Sequence, residues 1–283
     1  LASEEDISTN QKLDELCVAL DERMTDDVRK VPPSVVIVAG SGLNMLPDMA
    51  EDALKLDYGE LPHVGSVTVA GHGGKLVIGK VAGKKVVILG GRRHPYEGIT
   101  LSQSTLLLRA VIKLFGIRVV VLSNAAGGLN PSFNLADIMI VRDHINFMFE
   151  NPLTGPNDDS TGKRFPDMSQ AYSPRLIALA HAAAADTGVP VREGVYIAGK
   201  GPTYETRAEM AMFRNIMGAD SIGMSTVHET IAAKHARCEV LCLSVITNLL
   251  PPRDEVTHAE VMQTGKIAGE RMVRLLKDFL TKL

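Results

Sequence analysis

Three short β-branched runs, each ending in a glycine-bearing polar turn, constrain this chain more than any other feature: VVIVAGSG over 35–42, KVVILGGRRH over 85–94 and RVVVLSNAAGG over 118–128. Continuous apolar runs of this length suit strands buried on both faces of a largely parallel sheet. In such sheets ligands sit beyond the carboxyl ends of the strands, so chemistry is expected at the three turns. Further strand-like runs lie at 67–69, 74–81, 138–141, 191–198, 221–223 and 238–246, with helix-like stretches near 102–115, 173–187, 206–217, 227–236 and 257–281. Residues 6–28 have helical spacing, with Ile7, Leu13, Leu16 and Leu20 on one face.

This alternation predicts an α/β fold with a central mixed β-sheet flanked by helices. Strands without intervening helices over 53–89 imply that part of the sheet is antiparallel. No linker composition divides the chain, so a single domain is expected over 1–283, with an N-terminal helix within 1–30 and a C-terminal helix over 257–281. The segment 146–172 is rich in Pro, Gly, Asn and Asp and reads as a long functional or disordered loop.

Composition excludes several classes. At 45% hydrophobic and 22% charged residues the chain is globular rather than disordered. A net charge of −3 offers no basic footprint, so no nucleic-acid partner is expected and any anion must be held locally. No long apolar run predicts a membrane span, and the acidic start LASEEDISTNQ lacks the features of a signal peptide. Cys17, Cys238 and Cys242 form no disulfide framework. A cytoplasmic protein is expected.

Each turn has a chemical reading beside a bland one. In AGSGLN (39–44) Gly40 and Gly42 can turn backbone N–H groups toward an anion and Ser41 adds a hydroxyl, or the segment is a tight strand-to-helix turn. The GxG lacks the third glycine of a dinucleotide fingerprint, Met45 standing in its place. In GGRRHPYEG (90–98) Arg92 or Arg93 can grip phosphate, His94 can donate beside it and Tyr96 suits a sugar; otherwise it is a solvated loop. SNAAGGLNP (123–131) lets a ligand approach the backbone. Glu205 in GKGPTYETRAEM either caps a helix or accepts two N–H bonds from a purine edge. Ser225, after Met224, is a helix N-cap or a phosphate ligand. Asn248 in SVITNLL, followed ten residues on by His258, could serve a purine ring with both donor and acceptor.

Two constellations are set aside. His228, His235, Cys238 and Cys242 match no zinc spacing, so no metal is expected. Ser225, Asp254 and His258 run in hydrolase order, but GMSTV lacks the second glycine of GxSxG.

The motifs AGSG, TVAGHGG, GRRHPYEG, NAAGGLNP, RDHIN, GPTYETRAE, GMSTVHE and ITN, in this order from about residue 34 to 270, resemble the trimeric purine nucleoside phosphorylase family. The resemblance implies the nucleoside phosphorylase fold and phosphorolysis of inosine, guanosine and their deoxy forms to free base and pentose 1-phosphate, in purine salvage. It implies a phosphate site of Ser41, Arg92, His94, the backbone of Ala125 and Ser225, with His72 nearby. Ribose would lie against Tyr96, Met224 and Tyr204, with His258 near its 5′-hydroxyl, and the purine on Glu205 and Asn248. Asn248, Glu205 and His94 are the implied catalytic residues. Phosphate is then a co-substrate, and no cofactor is implied. Family members are homotrimers in which a neighbour's aromatic residue covers the ribose, here Phe149 or Phe147, with Phe149 favoured. The competing readings are a methylthioadenosine phosphorylase and a catalytically silent nucleoside-binding protein on the same fold.

Overall fold

The computed structural model describes residues 7–68, 73–251 and 258–283. Its elements run α1 (Thr9–Glu22), α2 (Asp26–Lys30), β1 (Val35–Ala39), β2 (Glu51–Asp57), β3 (Lys75–Val81), β4 (Lys84–Gly90), α3 (Leu101–Ser104), α4 (Leu106–Phe115), β5 (Val119–Gly128), β6 (Ile138–Asn146), α5 (Pro174–Thr187), β7 (Val191–Ala198), α6 (Arg207–Asn215), β8 (Ser221–Gly223), α7 (Val227–His235), β9 (Glu239–Leu249) and α8 (His258–Lys282).

The strands form one nine-stranded mixed sheet. β2, β3 and β4 make an antiparallel meander, as the helix-free stretch predicts. β4, β1, β5 and β9 then follow in parallel. β9 continues to β6, β7 and β8, and β8 returns to β5, so five strands close into a barrel beside the open sheet. β5 is the fork. Its register with β1 ends at Leu122 opposite Val38, and its pairing with β8 begins at Gly127 opposite Ile222.

The apolar runs serve two cores by parity, because successive side chains of a strand point to opposite faces. Val36, Val38, Val87, Leu89, Val120 and Leu122 face one core, which Leu13, Leu16 and Leu20 of α1 and the apolar side of α4 complete. Val35, Ile37, Val86, Ile88, Val119 and Val121 face the other, closed by α5 and α8 through Leu176, Ala180, Met272 and Leu276. Full burial of such a side chain contributes about 1.5–3 kcal/mol, so strand placement is strongly fixed. Cys238 and Cys242 share the first core, as their common parity predicts.

Several boundaries differ from expectation. The first helical stretch breaks into α1 and α2 because Thr25 caps a new helix, accepting from Val28 N. The stretch 102–115 divides at Thr105, whose hydroxyl bonds back to Leu101 O and Ser102 O. Residues 67 and 68 are not a strand, and Thr68 instead bonds Glu97 through its backbone N–H. β5, β6 and β9 run several residues past their apolar cores into polar sequence. No helix among the described residues is long and apolar enough to cross a membrane.

Candidate active site

The carboxyl ends of β1, β4, β5 and β9 lie on one side of the sheet because the four strands are parallel. The turns that follow β1 and β4 and the last residues of β5 and β9 meet the segment after β8 around a cavity of about 110 Å³. Ser41, Arg92, His94, Tyr96, Ala125, Tyr204, Glu205, Met224, Ser225 and Asn248 all line it, so the structure gathers ten of the sequence-predicted residues. His72 lies outside the described residues, as does the side chain of His258, which begins α8. Phe149 lines no part of this pocket; it is 80% exposed, with its ring 4.6 Å from that of Phe147.

Two glycines allow the first turn to approach β5. A Cβ on Gly40 would come within 2.5 Å of Ser123 O. Gly42 has φ +77°, where a side chain is strained. On this turn Ser41 lines the pocket with Arg92.

One end of the pocket is buried and already paired. Arg92 is 4% exposed; its Nη2 donates to Ser123 O at 2.7 Å and its Nε lies 2.9 Å from Oε1 of Glu229 in α7. Burial pushes the Glu229 carboxyl up while Arg92 draws it back down. An Arg with a fixed fork suits a tetrahedral anion. Beside it the His94 ring stacks on Tyr96, centroids 4.7 Å apart. Glu97 Oε1 accepts from His94 N at 2.6 Å and stands 3.5 Å from Nδ1. Burial raises the Glu97 carboxyl, but hydrogen bonds from His94 and Thr68 outweigh it and hold the pKa at about 2.

The opposite end is more open. Tyr204 is 44% exposed and Glu205 half-buried, with burial raising the Glu205 carboxyl above its usual range. Thr247 donates its hydroxyl to Asn248 Oδ1 at 3.2 Å, which leaves the Asn248 amide N–H groups to be presented as donors. Glu205 is not the cap of α6: Thr206 is, accepting from Glu209 N, with Glu209 completing the box. Nor does Ser225 cap α7, since Thr226 occupies that position at φ +61°. Both bland readings therefore fail, and both side chains remain at the pocket.

Sequence reasoning passed over Asn124, Thr247 and Val261, which also line the pocket. It also gave no role to Glu229, although Glu229 lies within the GMSTVHE segment it singled out. His228 is fully buried, and burial, then Arg92 and His94, push its pKa down to about 3, so it is neutral and bonded to Ser104 Oγ at 3.1 Å. His235 bonds Asn157 instead, and no group of three or more His, Cys, Asp or Glu among the described residues could hold a metal.

The Phosphorylase superfamily matches residues 34–281. Purine nucleoside phosphorylase 1 of Geobacillus stearothermophilus is 47% identical over 253 residues, covering 89% of this chain and 92% of the relative. The Schistosoma mansoni purine nucleoside phosphorylase in complex with adenosine is similar at TM-score 0.89 and 35% identity, over 98% of this chain and 99% of that one. The same protein in complex with inosine gives TM-score 0.89 and 34% identity, over 98% of each chain.

Proposed function

The chain belongs to the phosphorylase superfamily and, within it, to the purine nucleoside phosphorylases, and we propose that its pocket performs reversible phosphorolysis of 6-oxopurine nucleosides, inosine and guanosine with their deoxy forms, as follows. The carrying observation is the convergence of an anion-suited end, built on Arg92, His94 and Ser225, with a hydrogen-bonding end built on Glu205 and Asn248.

Phosphate lies against Ser41, Arg92, His94, the backbone of Ala125 and Ser225, with His72 beside it. The pentose lies between, against Tyr96, Met224 and Tyr204, with His258 toward its 5′-hydroxyl. The purine bonds to Glu205 and Asn248. The glycosidic C1′–N9 bond breaks with its electron pair leaving on the base, and a phosphate oxygen forms the new bond to C1′. Asn248 donates to the imidazole-side nitrogen and 6-oxo group, where negative charge develops; one such directed donor contributes about 3–4 kcal/mol in comparable sites. Phosphate supplies the nucleophile and a negative charge facing the oxocarbenium-like pentose, so holding it in line carries much of the acceleration. Phosphate is already ionised at neutral pH, so no base need activate it. The scheme calls for no cofactor and no metal.

The chain acts as a homotrimer in this reading, in the cytoplasm, and Phe149 covers the ribose of a neighbouring subunit. Its exposure on the 146–172 loop supports that role. One domain spanning 1–283 carries the whole site.

The test is release of free base from inosine with and without phosphate, with adenosine and methylthioadenosine alongside. Phosphate-dependent hypoxanthine and ribose 1-phosphate, with little adenine, support the reading. Preference for adenosine or methylthioadenosine would overturn the base assignment, and release without phosphate would overturn the anion site.

A further inference from the structure

We propose that a second cavity, between the start of α1, α4 and the loop over 152–158, is a binding site for a small oxyanion such as inorganic phosphate, with Arg109 as its principal ligand. The cavity measures about 170 Å³ and shares no lining residue with the active site.

Arg109 sits in α4, where residues 106–112 are all buried, and is itself 7% exposed. Its Nε is enclosed without a hydrogen-bond partner. Among the described residues its guanidinium makes no hydrogen bond and no ion pair, yet it lines the cavity. A buried cation without a partner is costly, and natural interiors pair such charges. Burial draws its pKa down and Asp158 partly restores it, the response of a cation that lacks a contacting counter-charge.

Several other lining residues carry donors, beside Pro152, Leu153 and Pro156. Thr9 and Asn10 open the 14-residue helix α1, and their N–H groups have no acceptor among the described residues, the cap Ser8 being used on Gln11 N. A helix N-terminus adds partial positive charge at that point. The Ser102 hydroxyl, 3.4 Å from that of Thr9, faces the same space. His235 also lines the cavity, its Nε2 donating to Asn157 Oδ1. Among the described residues the carboxylate that lines the cavity is Asp158, which is already engaged by the hydroxyls of Ser160 and Thr161. The space exceeds the roughly 10–15 Å³ that one water needs, so an oxyanion fits with part of its hydration. His235 ends α7 and Glu229 lies in its first turn, so the two anion-suited sites stand at opposite ends of one helix about 13 Å long.

Equilibrium dialysis of the full chain against radiolabelled inorganic phosphate tests this. Two phosphates per chain are expected for the wild type and one for Arg109→Met, which keeps turnover of inosine and the phosphate KM of that reaction within twofold. Arg92→Ala should retain the Arg109 phosphate, so failure of the active-site reading and failure of this one are separable. Should Arg109→Met misfold, Ser102→Asp places a carboxylate beside Arg109 and should remove the same phosphate from a folded enzyme. An unchanged phosphate stoichiometry between the wild type and folded Arg109→Met or Ser102→Asp, or no phosphate bound by folded Arg92→Ala, overturns the proposal. So does a crystal structure in which a carboxylate of this chain or of a second copy pairs with Arg109.

Discussion

The two ends of the active-site pocket are built on different principles. The end proposed for phosphate draws on strand termini and α7, and its polar groups are buried and held before any ligand arrives: Arg92 by Glu229 and Ser123, His94 by Glu97 and Tyr96. The end proposed for the base draws on the segment before α6 and the last residues of β9, with Tyr204 and Glu205 partly open to solvent. In the proposed reaction the anion is the same for every substrate and can be met by a rigid cradle. The base varies, and its recognition rests on side chains whose replacement leaves the core untouched.

That contrast can be broken at either end. The largest effect is expected at Asn248→Ala, where loss of a donor aimed at developing charge should lower kcat about 10²–10³-fold with an unchanged melting temperature. A stability loss comparable to that of a core variant would place Asn248 on the rigid side instead. Arg92→Ala should do the opposite: raise the phosphate KM far more than the nucleoside KM, and destabilise by about 3–5 kcal/mol because Glu229 is left buried and unpaired. The sign of its pH dependence is definite. A carboxyl whose folded pKa is raised destabilises the fold while ionised, so urea midpoints of Arg92→Ala should recover toward wild type as pH falls and Glu229 takes a proton. Recovery as pH rises would refute the pairing.

Glu229→Gln keeps the shape of the cradle and removes its charge. The phosphate KM should rise about tenfold, equivalent to about 1.4 kcal/mol, with the nucleoside KM unmoved; equal shifts in both would make Glu229 merely structural. A gentler probe is acid. In the proposed reading Glu205 accepts purine N–H bonds only while ionised, and burial raises its carboxyl above the usual range, so nucleoside KM should climb on acidification before Glu97 titrates. Glu97, held at about 2, contributes stability that is present above about 4.5 and lost only as pH falls toward 2. The smallest effect belongs to Tyr204→Phe, expected within about 0.5 kcal/mol in stability for an exposed position and visible only as a modest change in nucleoside KM.

The continuous apolar runs VVIV, VVIL and VVVL pointed to the parallel core, because strands buried on both faces of a largely parallel sheet read in this way. The continuation of β5 and β9 into SNAAGG and TNL was not readable, since Asn, Ala and Gly are depleted in strands and the two segments are held by each other's ladder. Residues that the fold brings to the pocket were legible where a polar residue interrupts an apolar strand end, as at Arg92, Ser225 and Asn248. Glu229 was not, because a carboxylate on a helix ordinarily faces water, and its partner lies 137 positions earlier in the chain. Thr247 escaped notice for a related reason: a threonine in a strand reads as packing until its hydroxyl is found on Asn248.

The fork in β5 has a further consequence. Between Leu122, where β1 departs, and Gly127, where β8 joins, one side of the strand has no neighbour in the sheet. Exposed strand edges invite other chains to add to them, but this one is sealed inside the molecule and is too short to admit a strand. Arg92 already occupies part of it through Ser123 O. Ala125 lines the pocket on this stretch, so in the proposed reading an incoming ion would complete the sheet where no strand does.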